Sequence, residues 1–267
     1  MRKNILGILL VISSFTYAYD WGNYSLSGGV DVMTDYTWRG FNVSGVSVQP
    51  WVEFSTHGLS VEVWSSVGSG PYEEFTQFVP ELDLCLSYTT PDEHFTLGVN
   101  HYYYFDGPFF AMNRELGNLG LSQTELEINV LIHKDYPFEL GAAMMFGGDF
   151  YSANGYIIKQ NETTAKMLFS TYIYLRYTLE VDDVEIIPEF GFSPNASVYT
   201  YYDPITNKHE PFAVNNVSCQ CNYTFYESDI VTMYATANFY MNFFDVKYET
   251  FEYGKNIGVG LGFGIEL

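Results

Sequence analysis

Apolar and polar residues alternate with period two along most of this chain, the spacing of strands that turn one face to an apolar medium and the other to a polar one. The last segment is the clearest: from Ile257 to Leu267 every odd residue is apolar and every even residue is Gly or Glu. The same count applied backwards predicts eleven more strands. Near the N-terminus Leu26, Gly28, Val30, Val32, Tyr36 and Trp38 share one face of a strand running to Arg39. Val46 to Phe54, Leu59 to Val63, Phe78 to Tyr88, Phe95 to Tyr103, Leu126 to Ile132 and Phe138 to Phe146 follow. Residues 165–179, Val184 to Phe192, Val231 to Phe239 and residues 244–253 complete the twelve; the apolar face of 244–253 is only Val246 and Tyr248.

The connections carry independent information. Tight turns are expected near 55–58, 90–93, 134–137, 181–183 and 241–244, and longer loops at 68–77, 106–120, 147–163 and 194–226. One end of the structure then has short turns and the other long loops, with short hairpins at 42–45 and 254–256 on the long-loop side. An even strand count, spans near ten residues and apolar-out, polar-in alternation predict an all-β fold: a closed antiparallel transmembrane β-barrel of twelve strands. Lipid would leave the edge N–H and C=O groups of an open sheet unpaired, so closure is required. A soluble sandwich or lipocalin-like cup would need polar outer faces, and the apolar faces here are too many and too continuous for one core.

The first residues read as an address. Arg2 and Lys3 precede an apolar stretch from Ile5 to Phe15, and Thr16-Tyr17-Ala18 sets up a cut after Ala18. Residues 1–18 are therefore expected to be a signal peptide and 19–267 the barrel, exported to the outer membrane of a Gram-negative envelope with both termini in the periplasm. No later run reaches the ~20 apolar residues of a helical span.

Composition agrees. Twenty-four Tyr, 22 Phe and 23 Gly against 16% charged residues favour strands and exclude disorder, collagen and coiled coil. A net charge of −21 excludes nucleic acid as a partner, because such a surface repels phosphates. The expected partners are outer-membrane lipid, the barrel-assembly machinery and small solutes or ions. Cys85 lies in a strand, while Cys219 and Cys221 flank one residue of the expected 194–226 loop, which argues against a disulfide framework or a zinc site.

The stretch Asp31-Val-Met-Thr-Asp35-Tyr36-Thr-Trp38-Arg39-Gly40, with Gln49-Pro50, Gly58-Leu59 and Val63-Trp64 after it, resembles the opening of the TorF-type porin family of exported barrels. Glu81-Leu-Asp83-Leu, Ser87-Tyr88, Gly98-Val99 and Tyr102-Tyr103-Tyr104 extend the resemblance, which is most informative over residues 31–104. It implies an outer-membrane porin of unspecified substrate. The chain departs from many such barrels in ending on Leu267 instead of an aromatic residue, with Phe263 four positions earlier.

Strand parity turns Asp31, Asp35, Glu53, Glu62, Glu81, Asp83, Glu125, Glu127, Glu139, Glu185 and Glu189 into the lumen, opposed chiefly by Arg39, Lys166 and Arg176. Confined carboxylates concentrate cations and repel anions; as a plainer alternative, the acids solvate the wall and pair with the bases. Inward Tyr102, Tyr104, Tyr172 and Tyr174, and an in-folded 194–226 loop, would narrow the bore. Twelve strands lie between barrels filled by side chains and wide porins. The expected function is a narrow, cation-leaning passive channel; the alternative is a non-conducting barrel that presents its loops for adhesion or binding. No catalytic role, cofactor or metal is expected: none of His57, His94, His101, His133 and His209 stands in a His-x-Ser arrangement, and Glu73, Glu74 and Asp149 are too scattered for a calcium site.

Overall fold

Alternating sequences cannot hide their apolar face inside a helix, so they pair as strands, and the pairing settles which segments form the wall. The computed structural model describes residues 24–69, 78–104, 121–133, 137–146, 170–194, 202–203, 208–209, 212–243 and 257–267. In chain order the elements are β1 (Tyr24–Met33), β2 (Tyr36–Trp38), β3 (Phe41–Ser44), β4 (Ser47–Thr56), β5 (Leu59–Ser69), β6 (Phe78–Thr89) and β7 (Phe95–Tyr104). Then come β8 (Leu121–Leu131), β9 (Phe138–Phe146), β10 (Ser170–Tyr177), β11 (Leu179–Val181) and β12 (Val184–Ser193). The chain continues with β13 (Tyr202–Asp203), β14 (Lys208–His209), β15 (Ala213–Glu227), β16 (Thr232–Met241) and β17 (Ile257–Glu266).

Twelve of these close a ring in the order β1, β4, β5, β6, β7, β8, β9, β10, β12, β15, β16, β17, each antiparallel to its neighbours. The ring closes where β17 returns to β1, with Val30 opposite Ile265 and Val32 opposite Phe263. β11 prolongs the line of β10 against β12, and β13 with β14 forms a separate two-stranded ladder. The fold is an all-β, closed, antiparallel twelve-stranded barrel.

Its packing is inverted relative to a soluble protein. Leu84 is 51% exposed and Leu97 54%, and Val52, Leu126, Ile128, Leu140 and Phe239 share their outward face, whereas Glu125 is 0% exposed. An apolar outer surface of this extent needs a medium other than water.

The strand count of the sequence stands, but one of its members is exchanged for another segment. Residues 213–226, expected inside a loop, belong to β15, the longest strand of the wall. Residues 244–253 lie outside the described residues, and the wall closes without them, because β16 pairs directly with β17 from Thr232↔Glu266 to Met241↔Ile257. The turn expected at 241–244 is replaced by one at 228–231, where the Ser228 and Val231 backbones bond. With these corrections the short connections all fall at one end of the barrel, as at His57–Gly58 and Asp182–Asp183, and the longer ones at the other.

The first strand also changes. It leaves the wall at Met33, so Tyr36, Trp38 and Arg39 belong to a hairpin, β2–β3, which folds into the bore. Its tip, Arg39–Gly40, has φ of 50° and 81°, the two positive values of a two-residue hairpin turn whose twist matches its strands. Gly40 is required twice over: for that φ, and because a Cβ there would overlap the Asn215 carbonyl oxygen on β15.

Candidate functional site

The lumen is crossed by the β2–β3 hairpin and walled by carboxylates, tyrosines and amides. Arg39 at the tip meets Glu125 of β8 in a two-pronged ion pair: Nη1 bonds Oε2, and Nη2 donates to Oε1 at 2.8 Å. The Tyr102 hydroxyl also donates to Glu125 Oε1, at 2.9 Å. The guanidinium lies 4.6 Å from the ring centroids of both Trp38 and Tyr172, within cation–π range of each. Asn238 Nδ2 donates to Thr37 Oγ1 at 2.8 Å and Asn242 Nδ2 to the Gly40 carbonyl at 2.7 Å, so β16 and the residues after it hold the other flank. Tyr36 packs on Trp64 of β5 and bonds Glu81 through its hydroxyl.

Below the hairpin lies a cavity of about 520 Å³, roofed by Trp38, Arg39 and Gly40 and reaching Leu131 and Pro137 beside a short turn. Its wall carries a second cation cluster. Arg176 donates to Glu189 Oε2 through Nη2 at 2.7 Å and Nε at 3.0 Å, and to Glu139 Oε1 at 3.2 Å, with Tyr174 stacked 4.8 Å beneath it. The Tyr172 hydroxyl donates to Glu189 Oε1 at 2.8 Å, and the Tyr174 hydroxyl lies 2.8 Å from Glu127 Oε1.

The other sequence-derived residues are distributed around the same wall. Asp31 accepts from the Tyr234 hydroxyl at 2.6 Å, and Glu185 from Asn222 Nδ2 at 2.7 Å. Glu53 stands directly opposite Glu62, and Glu81 and Asp83 are buried on β6. Asp35 sits between β1 and β2 with its backbone beside Gly260 of β17. Tyr104 pairs with Glu81 through the backbone ladder, its side chain outside the described residues, as is Lys166 entirely. Among the described residues, the lumen thus holds two arginines, Arg176 on the wall and Arg39 on the hairpin, both engaged with carboxylates, against many more acids.

Several inward tyrosines lie flat on glycines of the wall. A Cβ at Gly141 would overlap the Tyr174 ring, one at Gly258 the Tyr240 ring and one at Gly264 the Tyr234 ring. In each pair the glycine is the tyrosine's direct cross-strand neighbour. Among the described residues, what enters the bore is the β2–β3 hairpin; of the loop expected at 194–226, residues 213–226 are wall, and most of 194–212 lies outside the described residues.

Sequence reasoning missed the amide face of β15. Ser218, Gln220 and Asn222 alternate there with outward Val217, Cys219, Cys221 and Tyr223, a pattern legible in the sequence once the two cysteines are counted as apolar. Asn216 Nδ2 donates to Glu189 Oε1 at 2.9 Å, which joins this face to the Arg176 cluster. Cys219 and Cys221 are therefore strand residues, not loop residues, and all three cysteines are free thiols. Among the described residues no group of three or more His, Cys, Asp or Glu side chains is placed to hold a metal ion.

No family model matches the sequence, and a search of curated proteins returns no match. Among solved structures, the chain is similar to a Pseudomonas aeruginosa FadL homologue at 12% identity and TM-score 0.39, covering 91% of this chain and 74% of that one. It is similar to CdiB from Acinetobacter baumannii at 9% identity and TM-score 0.41, covering 92% of this chain and 60% of that one. At such values the assignment to the class of twelve-stranded barrels rests on the strand pairing itself.

Proposed function

We propose that this protein is an outer-membrane, porin-like channel that passes small cations or cation-leaning solutes through a lumen narrowed by its own first hairpin. One observation carries the reading: carboxylates outnumber bases on an inner wall that encloses a polar cavity. A confined excess of negative charge lowers the energy of a passing cation and raises that of an anion. The exposed apolar outer face supports a bilayer location, and the alternation of short and long connections supports the orientation with short turns in the periplasm. The N-terminal leader and the resemblance to TorF-type porins point the same way. The reading assigns no catalytic role.

The test is single-channel recording of the refolded protein in a planar bilayer under a salt gradient. Discrete conductance steps with a cation-side reversal potential are expected; anion selectivity would sink the acidic-lumen argument. A second reading, a non-conducting barrel that presents its loops for binding, is favoured by one feature, the hairpin lying across the bore. Silence from folded protein, including a variant lacking residues 35–44, would establish that reading instead.

A further inference from the structure

The tip of the hairpin is held by groups that together make a receptor for a planar cation. Glu125 offers both carboxylate oxygens in one plane, the geometry that matches a guanidinium fork. Tyr172 supplies an aromatic face 4.6 Å from the cation, and the Tyr102 hydroxyl fixes the carboxylate from the side at 2.9 Å. These three groups belong to the rigid wall, on β8, β10 and β7, while the occupant, Arg39, belongs to a hairpin outside the wall ladder. The Glu125 side chain is 0% exposed and that of Arg39 9%, so the pair is shut away from water. A carboxylate this buried is costly to leave without a cation while the hairpin is docked, so Arg39 holds the tip firmly in place.

We propose that Glu125, Tyr102 and Tyr172 form a guanidinium-binding site, that Arg39 is its tethered occupant in the closed lumen, and that a solute bearing a free guanidinium displaces Arg39 and loosens the hairpin. The proposal rests on the channel reading for its physiological meaning, but its binding step stands apart from conduction. Specificity follows from shape. A lysine ammonium is a compact, strongly hydrated point charge that cannot bond both oxygens in the plane of a fork, and it stacks on tyrosine less well. Because Arg39 is tethered, it competes at an effective concentration in the millimolar range or above. A free guanidinium solute must therefore act at millimolar concentrations, as a transported solute would and a trace signal would not.

The test places one thiol on the hairpin by Val43→Cys, a half-buried position on β3, in a background carrying Cys85→Ser, Cys219→Ser and Cys221→Ser. The rate at which a water-soluble maleimide labels the refolded barrel is then measured. Arginine amide is expected to raise that rate roughly tenfold, while lysine amide at matched ionic strength leaves it near the starting value. With Arg39→Ala added, labelling is expected to be fast without ligand and indifferent to it. With Arg39→Lys, the response should shift to lower arginine amide concentrations, since the tethered competitor has lost its fork. Equal acceleration by both amides, or slow labelling in Arg39→Ala, would overturn the proposal. Conductance of the same variants separates it from the channel reading. Ligand-dependent labelling with no conductance, even in Arg39→Ala, would remove the channel and leave the receptor. Conductance with labelling indifferent to arginine amide would do the reverse.

Discussion

Arg39 and Glu125, 86 residues apart in sequence, meet across the lumen in a two-pronged ion pair that fixes a hairpin tip to the far wall of the barrel. A cation and an anion taken out of water need each other: removing one partner of a buried pair costs about 3–5 kcal/mol, most of it the penalty on the charge left behind. The pair therefore sets how firmly the hairpin docks.

The first prediction is a double-mutant cycle. Arg39→Ala and Glu125→Ala each should expose the hairpin strongly to proteolysis, while the double variant should be less exposed than the sum of the two implies. A limited-proteolysis assay on the folded barrel gives the three rates, and additivity would mean that the two residues do not act as a unit.

Glu53 and Glu62 face each other directly across β4 and β5. Like charges in that relation destabilise a strand pair by roughly 0.2–1 kcal/mol. Glu62→Gln should therefore raise the thermal midpoint slightly and shift the reversal potential towards the anion side. An unchanged reversal potential would show that these acids only solvate the wall.

The tyrosine seats make a stability prediction with an internal control. Gly141→Ala forces the Tyr174 ring off the wall and should cost about 1–3 kcal/mol, the usual price of overpacking. Gly98→Ala should cost much less, because a Cβ there meets Glu127 Cβ at an ordinary 3.5 Å. Heat-induced loss of the folded band on a detergent gel compares the two, and equal shifts would refute the seat.

At the short-turn end, the Thr90 hydroxyl bonds the exposed Asp92 carboxylate, and the His94 backbone N–H bonds it as well, so the carboxyl titrates below its ordinary range. A depressed folded pKa adds stability above the unfolded pKa and loses it as pH falls through the folded value. Asp92→Asn should leave the acid limb of the stability curve flatter. The unfolding midpoint followed from neutral to acidic pH reads this out, and identical curves for the two proteins would rule the turn out as a contributor.

What could be read from the residues alone was the class of fold and the sidedness of its wall. Period-two alternation places Leu82, Leu84 and Leu86 on one face and Glu81, Asp83 and Ser87 on the other, and no tertiary information is needed to see that one face must meet an apolar medium and the other a polar one. Which segments make the wall was a different matter. Residues 217–225 and 244–253 both alternate, and local spacing does not choose between them; the ladder from β16 to β17 does, by leaving no place for a strand between. The parity of Tyr36 and Trp38 continues that of Val30 and Val32, so the sequence runs on where the chain in fact turns inward. That turn is decided by partners far away in the chain, Glu125, Asn238 and Asn242, because a charge and a set of amides inside a closed ring satisfy one another only once the ring exists.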